Sequence, residues 1–132
     1  MKVEELMVGN LVVYFNGETP VFVVVRKING DDGIVCLRQS DGHVFNTTIE
    51  YLFPIPVTAD ILKHNFPNAI DSDDLIWWPL ENSGKFCVSF SKTDPENTSK
   101  YIHKYSGTCK YVHQLQNILH HCGRNDKISL PY

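Results

Sequence analysis

Four runs of strand length, the first three each closed by a turn signal, occupy much of the first fifty residues and constrain the fold most. Leu11-Val12-Val13-Tyr14-Phe15 stops at Asn16-Gly17, a pair suited to a tight turn because both residues accept positive φ. Val21 to Ile28 is rich in β-branched residues and ends at Asn29-Gly30-Asp31-Asp32-Gly33. Ile34 to Arg38 runs into Ser40-Asp41-Gly42, and His43 to Ile49 follows. Short strands at this spacing predict a small, strongly bent antiparallel sheet or barrel. The SH3-like barrel is the nearest architecture, with an open sheet as the alternative.

Tyr51-Leu52-Phe53-Pro54-Ile55-Pro56 breaks the pattern, because its prolines cannot donate to a ladder. Thr58 stands where an N-cap belongs, ahead of a short helix over Ala59 to His64, and Asn65 is placed to end it in the left-handed conformation. Leu75 to Leu80 and Phe86 to Phe90 flank Glu81-Asn82-Ser83-Gly84 as a hairpin, and Lys100 to Tyr105 reads as a third strand. Ser106-Gly107-Thr108 then predicts a turn into a terminal helix capped by Thr108 or Ser106. The expected fold is therefore α+β. An SH3-like β subdomain occupies 1–56, packed with a helix–three strands–helix subdomain over 57–132, with one continuous domain as the alternative.

The 132 residues suit one domain or two small lobes, and the ordinary apolar and charged fractions are those of a globular protein. No apolar run approaches membrane-span length, and Met1-Lys2-Val3-Glu4-Glu5 lacks a signal-peptide core, so a cytoplasmic protein without a membrane partner is expected. The net charge of −3 argues against coating nucleic acid. Its distribution is uneven: residues 1–83 hold 5 Lys/Arg against 12 Asp/Glu, and residues 84–132 hold 7 against 3.

Catalytic and metal chemistry finds little support. Cys36, Cys87, Cys109 and Cys122 are scattered without CxxC spacing, which fits reduced thiols rather than a zinc framework. Asp71-Ser72-Asp73-Asp74 resembles half a calcium loop but lacks its glycine and distal glutamate, and no glycine-rich phosphate loop occurs. A Cys109–His113 dyad fits i,i+4 spacing, yet no oxyanion donors accompany it. No catalytic residue, metal ligand or cofactor is assigned.

The run Lys110-Tyr-Val-His-Gln-Leu-Gln-Asn-Ile-Leu-His-His-Cys-Gly123 looks metal-binding until it is wound into a helix. At about 100° per residue, Tyr111, Val112, Leu115, Ile118, Leu119 and Cys122 share one apolar stripe. His113 and His120 share a face but lie about 10 Å apart along the axis. His120 and His121 diverge. What stands out is a polar face of neutral amides and imidazoles, His113, Gln114, Gln116 and Asn117, where charges are usual. Such a face either docks on backbone edges of the same chain or recognises another protein.

Two functions compete. A protein-interaction module would use that helix face together with Trp77 and Trp78, since tryptophans often anchor interfaces. Its protein partner is unidentified. The alternative is single-stranded nucleic-acid binding through Lys100, Tyr101, His103, Lys104 and Tyr105, whose rings could stack on bases.

Three segments carry a resemblance. Pro54-Ile55-Pro56-Val57-Thr58-Ala59-Asp60-Ile61-Leu62, the opening Glu5-Leu6-Met7-Val8-Gly9-Asn10-Leu11-Val12 and the ending Tyr111-Val112-His113-Gln114-Leu115-Gln116-Asn117 follow in the same order as "PIPLTEEIL", "ELRIGNWV" and "YVHQLQN" motifs. The chain thus resembles small uncharacterised proteins of Bacteroidetes and their phages and mobile elements. The resemblance implies a bacterial, phage-related origin and shared polar positions at His113, Gln114, Gln116 and Asn117. It implies no activity. Ile118-Leu119-His120-His121-Cys122 departs from that family's "LYFAL", so nothing carries over to those residues.

Overall fold

The computed structural model describes residues 1–66, 76–81, 83–94, 97–121 and 125–131, with side chains left aside at 76, 90–94 and 97–105. It is an α+β protein with two helices and two antiparallel sheets, divided into two units. The first comprises Met1–Pro56 and Tyr111–Ile128, the second Val57–Lys110 and Ser129–Tyr132. The division at Pro56 coincides with the proline-bounded connector. The terminal helix, however, groups with the N-terminal sheet rather than with the strands that precede it.

In the first unit, strands β1 (Leu11–Tyr14), β2 (Val21–Ile28), β3 (Ile34–Arg38), β4 (Val44–Thr47) and β5 (Leu52–Phe53) form one sheet in the order β4-β3-β2-β1-β5. Every pairing is antiparallel. A register shift between Val25 and Lys27 marks a bulge in β2. Val23 and Val25 are buried, as are Ile34 and Cys36, as period-two alternation requires of a sheet with one covered face. With Leu6, Val12 and Leu52 they make the core, onto which Tyr14 and Phe45 pack. Among the described residues the sheet does not close into a barrel: β4 pairs with β3 alone, and the two-residue β5 pairs with β1. The open sheet, rather than the closed barrel, is what the described residues form: β5 stops before Pro54, which has no N–H with which to extend the pairing.

Helix α2 (Val112–His121) packs against β1 and buries Val112, Leu115 and Leu119, three positions of the apolar stripe. That contact explains why Leu11 and Val12, neighbours on opposite faces of β1, are both buried. Entry into α2 is fixed by a β-bridge between Pro56 and Tyr111 and by the Val112 N–H donating to the Ile55 carbonyl at 2.7 Å.

In the second unit, α1 (Ala59–Asn65) begins at Thr58, whose Oγ1 accepts from the Ile61 N–H at 3.2 Å. Strands β6 (Ile76–Pro79), β7 (Phe86–Asp94) and β8 (Asn97–Cys109) form a sheet in that order. Trp77 lies across from Val88 and Trp78 from Cys87, so the expected hairpin closes. Two local expectations fail. Asn65 is not the left-handed terminator; it is the last helical residue and Phe66 follows as the cap. Ser106-Gly107-Thr108 is not a turn or helix cap either, but continues β8, opposite Ser89, Val88 and Cys87. Pairing along β7 outweighs the local turn preference of Ser and Gly.

Candidate functional site

The amide face of α2 is where sequence chemistry and structure meet most directly. Gln116 is 3 % exposed, and its Oε1 accepts from the Leu11 N–H at 2.7 Å. Its Nε2 donates to the carbonyls of Gly9 at 3.2 Å and Asp126 at 3.0 Å. One side chain thus ties the entry of β1, the loop before it and the segment after α2. Asn117 works beside it: Nδ2 donates to the Glu5 carbonyl at 3.0 Å, and Oδ1 accepts from Asn10 Nδ2 at 2.9 Å. Asn10 is itself buried, and its Oδ1 accepts from the Met7 N–H at 2.7 Å. Gln114 Oε1 accepts from the Tyr111 N–H at 3.1 Å and caps the helix start.

Neutral amides suit this role for a plain reason. The chain before β1 presents both N–H and C=O groups, and an amide answers both without burying a charge. A lysine or glutamate could answer only one kind and would carry its charge into the interior.

His113 completes the face differently. It is 1 % exposed, its ring stacks on Tyr111 at 5.9 Å between centroids, and neither ring nitrogen has a hydrogen-bond partner among the described residues. Glu5 Oε2 stands 3.9 Å from Nε2. Burial lowers the imidazole pKa from its ordinary value; the Glu5 carboxylate opposes that shift and the Met1 amino group adds to it. Of the four helix residues considered for partner recognition, His113 and Gln116 therefore belong to the interior of the first unit. Gln114 and Asn117 are half-buried with partners inside it.

The remaining sequence candidates divide similarly. Trp77 is half-buried, its ring edge-on to Phe86 at 6.0 Å, whereas Trp78 is 42 % exposed. Lys100, Tyr101, His103, Lys104 and Tyr105 lie in β8, where the register slips between His103 and Tyr101 against Lys92 and Thr93; their side chains lie outside the description. So do the whole of Asp71-Ser72-Asp73-Asp74, Cys122 and Gly123. His120 Nδ1 meets Asp126 Oδ2 at 3.2 Å in an exposed contact. Cys36, Cys87 and Cys109 are free thiols. Burial pushes Cys36 up to about 11 and, with Cys87 nearby, Cys109 up to about 12, the reverse of what a nucleophile needs. Among the described residues no group of three metal-ligating side chains converges, and no helix is long and apolar enough to cross a membrane.

The structure also brings together residues that sequence reasoning passed over. Phe15 and Phe53 are 39 % and 45 % exposed, their rings edge-on with centroids 6.5 Å apart. The Phe15 N–H donates to the Tyr51 carbonyl at 2.9 Å, continuing the β1–β5 contact past β1. Alternation carried the signal: Phe15 falls opposite the core positions Val12 and Tyr14, and Phe53 opposite Leu52. Tyr51, also exposed, lies edge-on to Tyr14 at 6.2 Å.

Compared with known proteins, the chain has no significant match to a family model, a curated sequence or a solved structure.

Proposed function

We propose that this chain is a non-enzymatic, cytoplasmic protein-interaction module whose N-terminal unit is SH3-like. The observation that carries the reading is the Phe15–Phe53 pair, two large apolar rings held together at the β1–β5 edge with their outer surfaces in water. Aromatic side chains lose little rotamer freedom on contact and bury much area, which is why they dominate interface energetics. Exposed Tyr51, whose ring packs edge-on to Tyr14, and exposed Trp78 on the second unit are further aromatics of the same kind. Support for the SH3-like assignment comes from the strand order: a four-strand meander whose fifth strand returns to the first through a 3-10 turn at Ile49–Tyr51. The raised thiols leave neither Cys36 nor Cys109 suited as a nucleophile, in keeping with a non-enzymatic role, and the motif resemblance favours a bacterial, phage-related setting.

Replacing Phe53 with a photo-cross-linking phenylalanine analogue tests this reading in host lysate. A discrete adduct that disappears with Phe15→Ser is expected. Adducts no different from those of the same analogue at exposed Lys63 would overturn it.

A further inference from the structure

A second aromatic feature lies apart from the Phe15–Phe53 pair. An open groove of about 250 Å³ runs between the β1–β2 and β3–β4 turns, lined by Tyr14, Asn16, Glu18, Arg38, His43 and Phe45 among others. We propose that this groove is a cation site that takes the alkylammonium head of a lysine side chain presented by a partner protein. The proposal rests on the interaction-module reading and names the chemistry such a partner would offer.

Ring geometry is the first argument. Tyr14 and Phe45 meet at 4.8 Å with planes inclined by 66°, and the His43 imidazole stacks on Phe45 at 6.2 Å and 13°. Inclined rings make a corner, and the negative faces of aromatic rings attract a cation and repel an anion. The corner is held by contacts within the chain: Tyr14 and Phe45 are half-buried against the core, and Asn16 Nδ2 donates to Tyr14 Oη at 3.0 Å. A preformed corner spares the ordering cost that weakens binding.

Charge is the second argument. The guanidinium of Arg38 is already matched, its Nε and a terminal nitrogen donating to the two carboxylate oxygens of Asp41 at 2.8 and 2.6 Å. That pair adds no net charge to the rim. Asp41, held at about 2 chiefly by Arg38, stays ionised throughout the neutral range. Glu18 is exposed and has no ion-pair partner among the described residues, so the groove is left with one uncompensated negative charge. An anionic ligand would have to displace Asp41 and face Glu18. A cationic one meets the aromatic side chains of the lining, the Glu18 carboxylate, and a guanidinium whose charge Asp41 balances. Residues 1–56 as a whole hold seven acidic against four basic side chains, which favours the same sign of ligand.

The test is an amide-resolved NMR titration of the full chain with tetramethylammonium chloride, against sodium chloride and against 3,3-dimethylbutan-1-ol as an uncharged isostere. Saturable shifts centred on Tyr14, Glu18, His43 and Phe45 are expected, with a Kd on the order of 1–10 mM. The alcohol should bind at least about fivefold more weakly, the difference a cation–π contact makes. Glu18→Gln, an exposed change that leaves the core untouched, should weaken tetramethylammonium about threefold, and Phe45→Leu should abolish its shifts. A Gly/Ser peptide with one lysine should shift the same amides, and its norleucine counterpart should not. No saturable shift up to about 100 mM, equal binding of the alcohol, indifference to Glu18→Gln, or equal binding of lysine and norleucine peptides each overturns the proposal. None of these bears on the adduct at Phe53, so the two readings fail separately.

Discussion

The Leu11 N–H donates to Gln116 Oε1 at 2.7 Å, joining the first residue of β1 to the middle of a helix 105 residues later in the chain. The same amide donates to Gly9 and Asp126, so three backbone groups depend on it. Gln116→Leu keeps the volume and strands those groups in a buried place. Because an unsatisfied buried polar group costs about 1–3 kcal/mol and the Leu11 N–H is the most enclosed of the three, a loss of about 3 kcal/mol is expected. Urea denaturation should show a lower midpoint at unchanged slope, and the Leu11 amide should exchange faster with solvent.

His113 makes stability depend on pH in a stated direction. Burial lowers its pKa in the folded chain below the ordinary 6.5, so between those two values the unfolded chain binds more protons. Its contribution is therefore complete above about pH 6.5 and is lost as pH falls from there toward the folded pKa. Glu5 faces the ring and works against the shift, and the Met1 amino group works with it. His113→Phe keeps the stack on Tyr111 and removes the titration. The fall in Tm between pH 7.5 and 5.5 should be shallower in this variant than in the parent; an equal fall would assign the acid sensitivity elsewhere.

The β elements were legible because turn residues bracketed each run, and β1 to β4 lie where those brackets predict. The helix stripe was legible too: Val112, Leu115 and Leu119 are buried as the helical wheel requires. What the sequence could not show was what the amide face answers to. Gln116 and Asn117 match carbonyls and N–H groups of Glu5, Gly9 and Leu11, and a backbone group has no residue identity to read. Nor does a pattern tell which sheet a terminal helix will cover, and proximity in sequence alone groups α2 with the nearer strands. Ser106-Gly107-Thr108 misled for the opposite reason: a clear local preference lost to a neighbouring strand long enough to pair with it. Phe15 and Phe53 were passed over because each sits beside a turn or proline, where the strand pattern stops being read.

Asn65 makes a second amide clamp, in the other unit. Its Nδ2 donates to the Ile61 and Ser129 carbonyls, each at 2.8 Å, and its Oδ1 accepts from the Ser129 N–H at 2.8 Å. The side chain thus pairs with Ser129 as a neighbouring strand would. Asn65→Ala should cost about 1–2 kcal/mol, since the contact is partly exposed and water can replace some of it. Asn65→Asp should lose most of the same stability, because a carboxylate keeps the bond from the Ser129 N–H but turns oxygen toward two carbonyls. Hydrogen exchange at Ser129 should accelerate in both variants.

The thiols offer a check on how tightly each sheet is closed. Cys36 is fully buried in the first unit's core and Cys109 almost so at the end of β8, while Cys87 is half-buried on β7. With Cys36 pushed up to about 11 and Cys109 to about 12, little thiolate exists at pH 8, and a reagent must also wait for the chain to open. Alkylation at pH 8, followed residue by residue by mass spectrometry, should therefore label Cys87 before Cys36 and Cys109. Cys36 and Cys109 should react only through the small open population, accelerating as urea enlarges it. Gln116→Leu loosens the first unit, so it should raise the rate at Cys36 by about the factor its lost stability predicts, roughly a hundredfold for 3 kcal/mol. Labelling of Cys36 in that variant at the parent's rate would mean that Gln116 does not hold the sheet it touches.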